Sequence, residues 1–306
     1  MRTSKWDILG IGVVTVDDLY YVDHYPASDT KMPATDEQRQ GGGLTATAIV
    51  AAARLGCSAA FLGVLGEDEL SQFTIRELEQ QGVDCSPVIR RSEARPFHSV
   101  VIVDNSNGHR TIIYSGKGNI PTTPEDVSTE LIAKSRLLFV DQIYAAAAIR
   151  AANIAHTLGV PVVADIETAD DPLVVQLMDK VDHLIVSYEL GAYVTGMTEA
   201  DAIVKALARP QKACVAVTHG DRGCWYSEAG AAVRHLPAFK VDVVDTTGCG
   251  DVFHGAYAAA ISQRRSVEDA IRLAAATAAI KATQPGGRAG IPDLATVQQF
   301  MEKHEV

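Results

Sequence analysis

The chain has 306 residues, which is long for one domain, although α/β folds often reach this length as a single unit. An apolar share of 47% is sufficient for a large core. The formal net charge of -11 argues against nucleic acid or an anionic membrane as the main partner, because both require a basic surface, whereas a few local cations would still suffice for a small anionic substrate.

Cysteine usage and the first residues indicate the compartment. The five cysteines are scattered and form no C-x-x-C pair, which favours reduced thiols over a disulfide framework or a zinc site. The segment before Trp6 lacks the apolar core of a signal peptide, and no uninterrupted apolar stretch is long enough to span a bilayer. We therefore expect a cytoplasmic protein with no membrane partner.

Short apolar runs alternate with helical patterns along most of the chain. This alternation predicts buried parallel strands separated by helices, and therefore a three-layer α/β/α sandwich. Several predicted strands end on a polar residue, and ligands of such sheets bind at the carboxyl ends of the strands. The predicted strands are 8–14, 59–65, 137–141, 160–165, 183–187 and 214–218, the predicted helices are 44–55, 70–81, 145–158 and 200–208, and the polar strand ends are Asp141, Asp165, Ser187 and Thr218.

Two segments interrupt this pattern. Residues 19–40 and 97–115 alternate apolar and polar side chains, with Gly108 at a predicted turn, which is typical of strands that have one exposed face. The sequence contains no internal repeat, low-complexity tract or linker. The chain 1–306 is therefore interpreted as one domain that carries two β-rich insertions.

The segment from Asp245 to Ala256 reads D-T-T-G-C-G-D-V-F-H-G-A and follows a predicted strand, 239–244. Two glycines ahead of a predicted helix, 252–261, leave amide donors open to an anion such as a phosphate. Asp251 would repel such an anion, but it is well suited to take a proton from an attacking hydroxyl. Amide donors beside a base are what phosphoryl transfer to an alcohol requires, and the simpler alternative is a tight turn capped by an aspartate.

The D-T-x-G-x-G-D motif resembles the C-terminal signature of the ribokinase-like (PfkB) family of carbohydrate and nucleoside kinases, and the similarity extends from the first predicted strand to Pro292. The resemblance implies a kinase that uses ATP and Mg²⁺, on a ribokinase-like sandwich whose two β-rich segments form a small β-sheet lid over the sugar. Such a lid often pairs with a second subunit, so we expect a homodimer through the lid. The resemblance gives the role of catalytic base to Asp251 and the anion hole to the amides of Gly248, Cys249 and Gly250.

The same resemblance implies a set of sugar-binding residues. An early acidic residue of the family binds sugar hydroxyls, a G-G-x-x-x-N motif follows, and a G-x-R-T turn supplies an arginine that bridges the sugar and the transferred phosphoryl group. Threonine replaces the asparagine of the second motif here. The corresponding residues are Asp17 for the acidic residue, Gly42, Gly43 and Thr47 for the second motif, and Arg110 within the turn 108–111.

Nucleotide and cation sites are implied in the same way. The family turn T-x-G-x-x-G is matched, whereas the N-x-x-E motif, which organises magnesium and phosphate, is imperfect. A kinked glycine-rich loop near the end of the chain, together with the signature segment, implies an activating monovalent cation such as K⁺ beside the anion hole. The corresponding residues are Thr218, Gly220 and Gly223 for the nucleotide turn, Ser187 and Glu189 for the imperfect motif, and Asp245, Thr247, Gly286 and Gly290 for the monovalent cation.

Further similarities narrow the branch of the family. Segments 238–245 and 285–293 resemble bacterial sulfofructose kinases, and segments 16–26 and 110–114 resemble ketohexokinases. Both groups phosphorylate ketoses, so the resemblance favours a ketose-like sugar as the acceptor.

Whether this sugar is anionic depends on three positions. Lys31 aligns with a sulfonate-facing lysine of the sulfofructose group, but the asparagine and arginine expected beside it are Tyr114 and Ile143. A lysine without an arginine fork binds a tetrahedral oxyanion poorly. We therefore expect a small neutral sugar, with sulfofructose as the anionic alternative.

Two other functions are compatible with the same fold. A nucleoside kinase would need an apolar slot for the base, which Tyr20, Tyr21, Tyr25 and Phe97 could supply. A catalytically weak sugar-binding or regulatory protein would account for the replaced asparagine and the imperfect N-x-x-E motif. The intact Asp251 and anion hole argue against this second alternative.

Overall fold

The computed structural model describes residues 4–106 and 109–304, and its strands and helices are as follows. In this part of the chain the strands are β1 (Trp6–Ile11), β2 (Thr15–Val22), β3 (Asp36–Gly42), β4 (Ala59–Leu62), β5 (Val64–Leu65), β6 (Val83–Asp84), β7 (Ile89–Arg90), β8 (Phe97–Asp104), β9 (Arg110–Ser115), β10 (Ser135–Asp141), β11 (Val162–Ile166), β12 (His183–Ser187), β13 (Cys214–Thr218), β14 (Cys224–Glu228) and β15 (Arg234–Leu236). The α-helices are α1 (Leu44–Arg54), α2 (Glu69–Gln80), α3 (Thr129–Ala133), α4 (Ala145–Leu158), α5 (Pro172–Lys180), α6 (Tyr188–Thr195), α7 (Ala200–Leu207), α8 (Cys249–Ser262), α9 (Val267–Ala282) and α10 (Leu294–Lys303).

A nine-stranded main sheet lies at the centre of the molecule, in the order β15-β14-β13-β12-β11-β10-β1-β4-β6. Its neighbours pair in parallel from β13 to β6, and β14 and β15 join in antiparallel. Successive side chains of a strand point to opposite faces, so Ile8 of β1 is buried on one face and Leu9 on the other. Both faces of this sheet are therefore apolar.

Helices cover each of these two faces. One buried cluster joins the sheet to α1, α8 and α9, and the other joins it to α3 through α7. The predicted three-layer α/β/α sandwich is thereby confirmed. Among the described residues, no helix is both long and apolar enough to cross a membrane.

Most predicted elements agree with the observed ones to within a few residues, and the predicted strand 239–244 is wrong. These residues form no strand, and the side chains of Val243 and Val244 are each 61% exposed. The amides of Val244 and Asp245 donate to the carbonyl of Ala282 at 2.8 and 3.1 Å, so the end of α9 takes the place of a neighbouring strand. The predicted helix 252–261 starts earlier, at the first residue of α8.

The two β-rich segments form a separate four-stranded sheet, called here the small sheet, in the order β3-β2-β8-β9. This confirms the predicted β-rich character of 19–40 and 97–115, although β2 already begins at Thr15. The predicted turn at Gly108 lies outside the described residues. Strand β9 is at the edge of this sheet, and all six of its residues are exposed.

Two contacts fix the starts of α1 and α8 at the carboxyl edge of the main sheet. Asp141, at the end of β10, is buried and accepts hydrogen bonds from the amide of Val13 at 2.7 Å and from the hydroxyl of Thr45 at 2.6 Å. A Cβ on Gly255 of α8 would lie 2.1 Å from the carbonyl oxygen of Ala48 in α1, so the two helices pack backbone against backbone. The glycine turns that precede these helices are thus held at one edge of the sheet.

Candidate active site

The starts of α1 and α8 share the features of anion-binding helix ends. Their N-cap residues, Gly43 and Gly248, have φ angles of 95° and 70°, and neither provides a side chain to cap the helix. A Cβ on Gly43 would lie 2.7 Å from the Cα atom of Val14, so glycine is required by space as well as by φ. First-turn amides, together with the helix dipole, attract negative charge. At α1 this charge is the Asp141 carboxylate, which accepts from the amide of Thr45 at 3.3 Å, while the amide of Ala46 donates to the carbonyl of Val13 at 3.3 Å.

The amides of the signature segment are not equivalent. The amide of Cys249 donates to the carbonyl of Thr246 at 3.1 Å, and among the described residues the amides of Gly248 and Gly250 have no backbone acceptor. A Cβ on Gly250 would meet nothing within 4 Å, so the space next to this amide is open. The amide of Cys249 is therefore already engaged, and the anion hole predicted from Gly248, Cys249 and Gly250 stays a prediction.

Asp251 lies in the first turn of α8, next to the carboxyl group of Asp165 near the end of β11. Burial raises the pKa of Asp251 well above its usual range, and the nearby charges of Asp165 and Glu167 raise it further. Burial likewise raises the pKa of Asp165. Neighbouring carboxyl groups oppose each other's ionisation, and Asp251 is a base when the proton is on Asp165.

His254 lies on the same side of α8 as Asp251 and is buried against Asp165. Its Nδ1 is 2.8 Å from the carbonyl oxygen of Gly250 and 3.3 Å from Oδ2 of Asp165, and its Nε2 is 3.2 Å from the carbonyl oxygen of Ile185. Because Nδ1 is engaged with Gly250, Oδ2 of Asp165 has no hydrogen-bond partner within the part of the chain that the structure describes. Burial lowers the pKa of His254. In the sequence, the spacing of three residues between Asp251 and His254 could have indicated that both side chains lie on the same face of the helix.

A cleft of about 340 Å³ separates one face of the small sheet from the loop that leads into α8. Its lining includes Asp17 of β2, Arg110 of β9, and Asp245 and Thr247 of the loop. Arg110 reaches across the cleft, with one guanidinium nitrogen 3.7 Å from Oδ1 of Asp245. Burial raises the pKa of Asp17. A Cβ on Gly42 would lie 2.2 Å from Oδ2 of Asp17, so this glycine lets the carboxylate lie against β3.

Arg288 is a buried residue of this region that the sequence analysis did not identify as functional. Its guanidinium group donates to the hydroxyl of Thr47 at 3.1 Å and to the carbonyl of Gly42 at 2.7 Å, and it forms an ion pair with Glu77. Thr47 is only 2% exposed. The Thr47 hydroxyl, predicted to contact the sugar, is therefore engaged by Arg288 in this structure.

Comparison with known proteins decides the family. Residues 11–294 match the model of the pfkB family carbohydrate kinases. The chain belongs to this family. Fructokinase-1 from Oryza sativa subsp. japonica is 30% identical over 286 residues, covering 85% of this chain and 88% of the relative. Ketohexokinase from Mus musculus is 27% identical over 282 residues, with coverages of 87% and 92%.

A solved structure extends the comparison to the fold. Arabidopsis thaliana ribokinase complexed with ribose and ATP is 26% identical to this chain, has a TM-score of 0.84 and is covered over 99% of both chains. The ribokinase-like fold expected from the sequence is thereby confirmed. The protein is a carbohydrate kinase, that is, a phosphotransferase with an alcohol group as acceptor.

The nucleotide-binding residues expected for a pfkB kinase lie along the carboxyl edge of the main sheet. Ser187 and Thr218 are paired at the ends of β12 and β13. The hydroxyl of Ser187 caps α6 by accepting from the amide of Leu190 at 3.1 Å, and Glu189 in the first turn of α6 is exposed. Gly220 opens the turn after β13 with a φ of 51°.

Packing explains why the last residue of this turn is a glycine. Gly223 has a φ of 92°, and a Cβ there would lie 2.1 Å from the carbonyl oxygen of Leu236. The position therefore requires glycine so that β14 can pack against the residues that follow β15. Its predicted contact with the nucleotide stays a prediction.

Two of the expected sugar contacts lie away from the cleft. Lys31 is exposed in the connection between β2 and β3 and does not line the cleft. Tyr114 is 72% exposed and its ring meets that of Phe97 edge-on, with 6.4 Å between the centroids. Contacts of either residue with a substrate stay predictions.

The residues expected to bind a monovalent cation lie together, but their oxygens are engaged. Oδ1 of Asp245 accepts from the amide and the hydroxyl of Thr247 at 2.8 and 2.6 Å, and Oδ2 accepts from the amide of Gly286 at 2.8 Å. Burial opposes ionisation of Asp245, but these hydrogen bonds outweigh it and lower its pKa. A Cβ on Gly290 would lie 3.0 Å from the carbonyl oxygen of Lys281, so this glycine packs against the end of α9.

Proposed function

We propose that this chain is an ATP-dependent kinase of a small, neutral, ketose-like sugar. The observation that carries the proposal is the placement of Asp251 in the same helix start as the amides of Gly248 and Gly250, directly after Thr247, which lines the cleft together with Asp17 and Arg110. Amides for the developing charge, a base and a carboxylate for hydroxyl groups are the parts that phosphoryl transfer to a sugar requires. The similarity to a fructokinase and a ketohexokinase supports a ketose.

Each residue has a role in the proposed transfer. Asp17 accepts hydrogen bonds from sugar hydroxyls and orients the sugar in the cleft. Asp251 removes the proton of the attacking hydroxyl, whose oxygen forms a bond to the γ-phosphorus while the bond to ADP breaks. The amides of Gly248 and Gly250, with Arg110, stabilise the negative charge on the transferred group.

The nucleotide would lie along the carboxyl edge of the main sheet, near Thr218 and Gly220. Bound Mg²⁺ neutralises phosphate charge during such a transfer. Among the described residues, no group of three or more His, Cys, Asp or Glu side chains is arranged to hold a metal ion. Mg²⁺ keeps several waters and binds through phosphates with one or two carboxylates, so it would be held mainly by the phosphates of ATP, with Glu189 as the carboxylate that the resemblance assigns to it.

Charge in the cleft favours a neutral acceptor over a sulfonated one. Arg110 is the one cation among the described residues that line the cleft, and it faces Asp245. Arg288 is buried against Glu77 and near Asp17. A sulfonate would therefore find no uncommitted guanidinium group, and sulfofructose is expected to be a poorer acceptor than fructose.

The choice of acceptor is tested by ADP release across a panel of fructose, sulfofructose, ribose and adenosine. We expect the highest kcat/KM for fructose or a related ketose, because sugar hydroxyls can donate hydrogen bonds to Asp17 and the described residues of the cleft include no unpaired cation to bind a sulfonate. Adenosine as the best acceptor would support the nucleoside kinase instead. Sulfofructose as the best acceptor would contradict the argument that the cleft lacks a cation for a sulfonate. No ADP release with any acceptor would favour the sugar-binding protein.

We also propose that the protein is a homodimer whose contact is the outer face of the small sheet. Ile113 of β9 is 59% exposed on the face opposite the cleft, and Tyr20 of β2 is 37% exposed. An exposed edge strand with apolar side chains is a site for pairing with a second copy.

The dimer is tested by light scattering during gel filtration. Wild type should elute at twice the chain mass of 32.6 kDa, and Ile113→Asp should shift it toward the monomer, because a carboxylate would be buried without a partner. Val175→Asp, at another exposed apolar residue, serves as the control and should remain dimeric. A monomeric wild type contradicts the proposal.

A further inference from the structure

A buried lysine lies directly behind the anion hole. Lys281, in the last turn of α9, is 0% exposed, and its Nζ donates to the carbonyl oxygen of Asp245 at 2.9 Å. Burial lowers the pKa of this ammonium, while the nearby Cys249 and Asp245 raise it. Neither the sequence motifs nor the proposed transfer step gives this residue a role.

The end of α9 and the signature loop meet at several points around this ammonium. The amides of Val244 and Asp245 donate to the carbonyl of Ala282, and Sγ of Cys249 is 3.7 Å from the carbonyl oxygen of Ala278. Burial raises the pKa of the Cys249 thiol. Lys281 therefore supplies positive charge at the base of the turn that holds Gly248 and Gly250.

The pfkB resemblance implied a monovalent cation at this loop, and the fit of the residues to such an ion is poor. The Asp245 carboxylate is already engaged by Thr247 and Gly286, and its carbonyl oxygen by Lys281. Two positive charges that share one carbonyl oxygen repel each other, and more strongly in a buried site than in water. A K⁺ ion on the Asp245 carbonyl would have to overcome this repulsion.

We propose that the ammonium of Lys281 takes the place of the monovalent cation, so that this kinase works without K⁺. The ammonium donates to the Asp245 carbonyl and thereby positions the first-turn amides of α8. Lys281 is a positioning residue, because it acts through the loop and not on the sugar or the phosphate.

The wild-type protein gives the first test. At constant ionic strength, which keeps screening equal, kcat should differ by less than about twofold among KCl, NaCl and choline chloride. The melting temperature with a non-hydrolysable ATP analogue should likewise be the same in KCl and choline chloride. A wild type that is activated severalfold by K⁺, or that melts higher in K⁺ than in choline with the analogue bound, overturns the inference.

Lys281→Ala gives the second test. Removal of the ammonium should reduce kcat by at least about tenfold in choline chloride, since the anion-hole amides lose their support. K⁺ or NH₄⁺ should restore part of this loss, and K⁺ should raise the melting temperature of the variant because it binds the vacated carbonyl. A folded variant with wild-type kcat in choline chloride contradicts the inference, and so does one that neither K⁺ nor NH₄⁺ rescues.

Lys212→Ala is the matched control. Lys212 is 4% exposed, and its Nζ donates to the carbonyls of Met178 and Val181 at 2.7 and 3.0 Å, remote from the cleft. Its loss should lower the melting temperature without creating a response to K⁺, and a K⁺ response there would count against a specific role of Lys281. The inference rests on the proposed kinase activity, but the melting experiments do not need turnover. If Lys281→Ala does not fold, the wild-type salt series still decides.

Discussion

Asp251→Asn is expected to reduce kcat by at least about 10²–10³-fold, the scale of a positioned general base. The asparagine keeps the shape and the hydrogen-bonding reach of the side chain but cannot accept the proton of the attacking hydroxyl. Because Asp251 lies beside Asp165 at the start of α8 and is not part of the hydrophobic core, the fold should be preserved. The measurement is ADP release at saturating sugar and ATP, together with the melting temperature and the affinity for an ATP analogue.

Asp165→Asn is the companion variant that separates the base from its partner. Burial and the neighbouring carboxyl groups raise the pKa of Asp251, so kcat/KM of wild type should fall with decreasing pH well above the ordinary carboxyl range of about 4. In Asp165→Asn the repelling carboxylate is gone, so the acidic limb should move to lower pH. Near-normal turnover of Asp251→Asn would show that Asp251 is not the base. An acidic limb that does not move in Asp165→Asn would show that Asp165 does not raise the pKa of Asp251.

Arg288→Met is expected to destabilise the protein by about 3–5 kcal/mol, because it breaks a buried ion pair from one side. The guanidinium group is buried with Glu77, Thr47 and the carbonyl of Gly42 as partners, and methionine leaves all of them unsatisfied. Burial lowers the pKa of Arg288, but the charges of Glu77 and Asp17 favour its charged form. The measurement is the free energy of unfolding from urea denaturation.

The control for Arg288 is an exposed ion pair of the same chemistry. Arg234 and Glu268 are 2.8 Å apart with side chains 58% and 64% exposed, and Arg234→Met should change the free energy of unfolding far less than Arg288→Met. Arg288→Met combined with Glu77→Leu should recover part of the loss, because the unpaired carboxylate is removed as well. Equal effects at both arginines would show that Arg288 contributes no more than a surface pair.

Much of the fold could be predicted because its signals are local. Three elements were predicted at their observed bounds, namely the strands His183–Ser187 and Cys214–Thr218 and the helix Ala145–Leu158. A buried strand or an amphipathic helix can be predicted from the pattern of apolar residues within a short segment. The strand 239–244 failed for the complementary reason. An apolar run does not reveal whether a neighbouring strand is available, and here the amides of Val244 and Asp245 bond to the end of α9.

The sequence by itself determined the family and predicted an anion hole with a base, because glycines at the start of a helix and an aspartate in its first turn act through their own backbone and spacing. Only the tertiary structure decided which groups control that chemistry. Arg288 contacts Thr47, which is 241 positions away in the chain. Asp165 of strand β11 lies next to Asp251 of α8, and the packing of α9 brings Lys281 to the carbonyl of Asp245. Buried charges are set by which groups share a desolvated space, and that space exists only once the layers have packed.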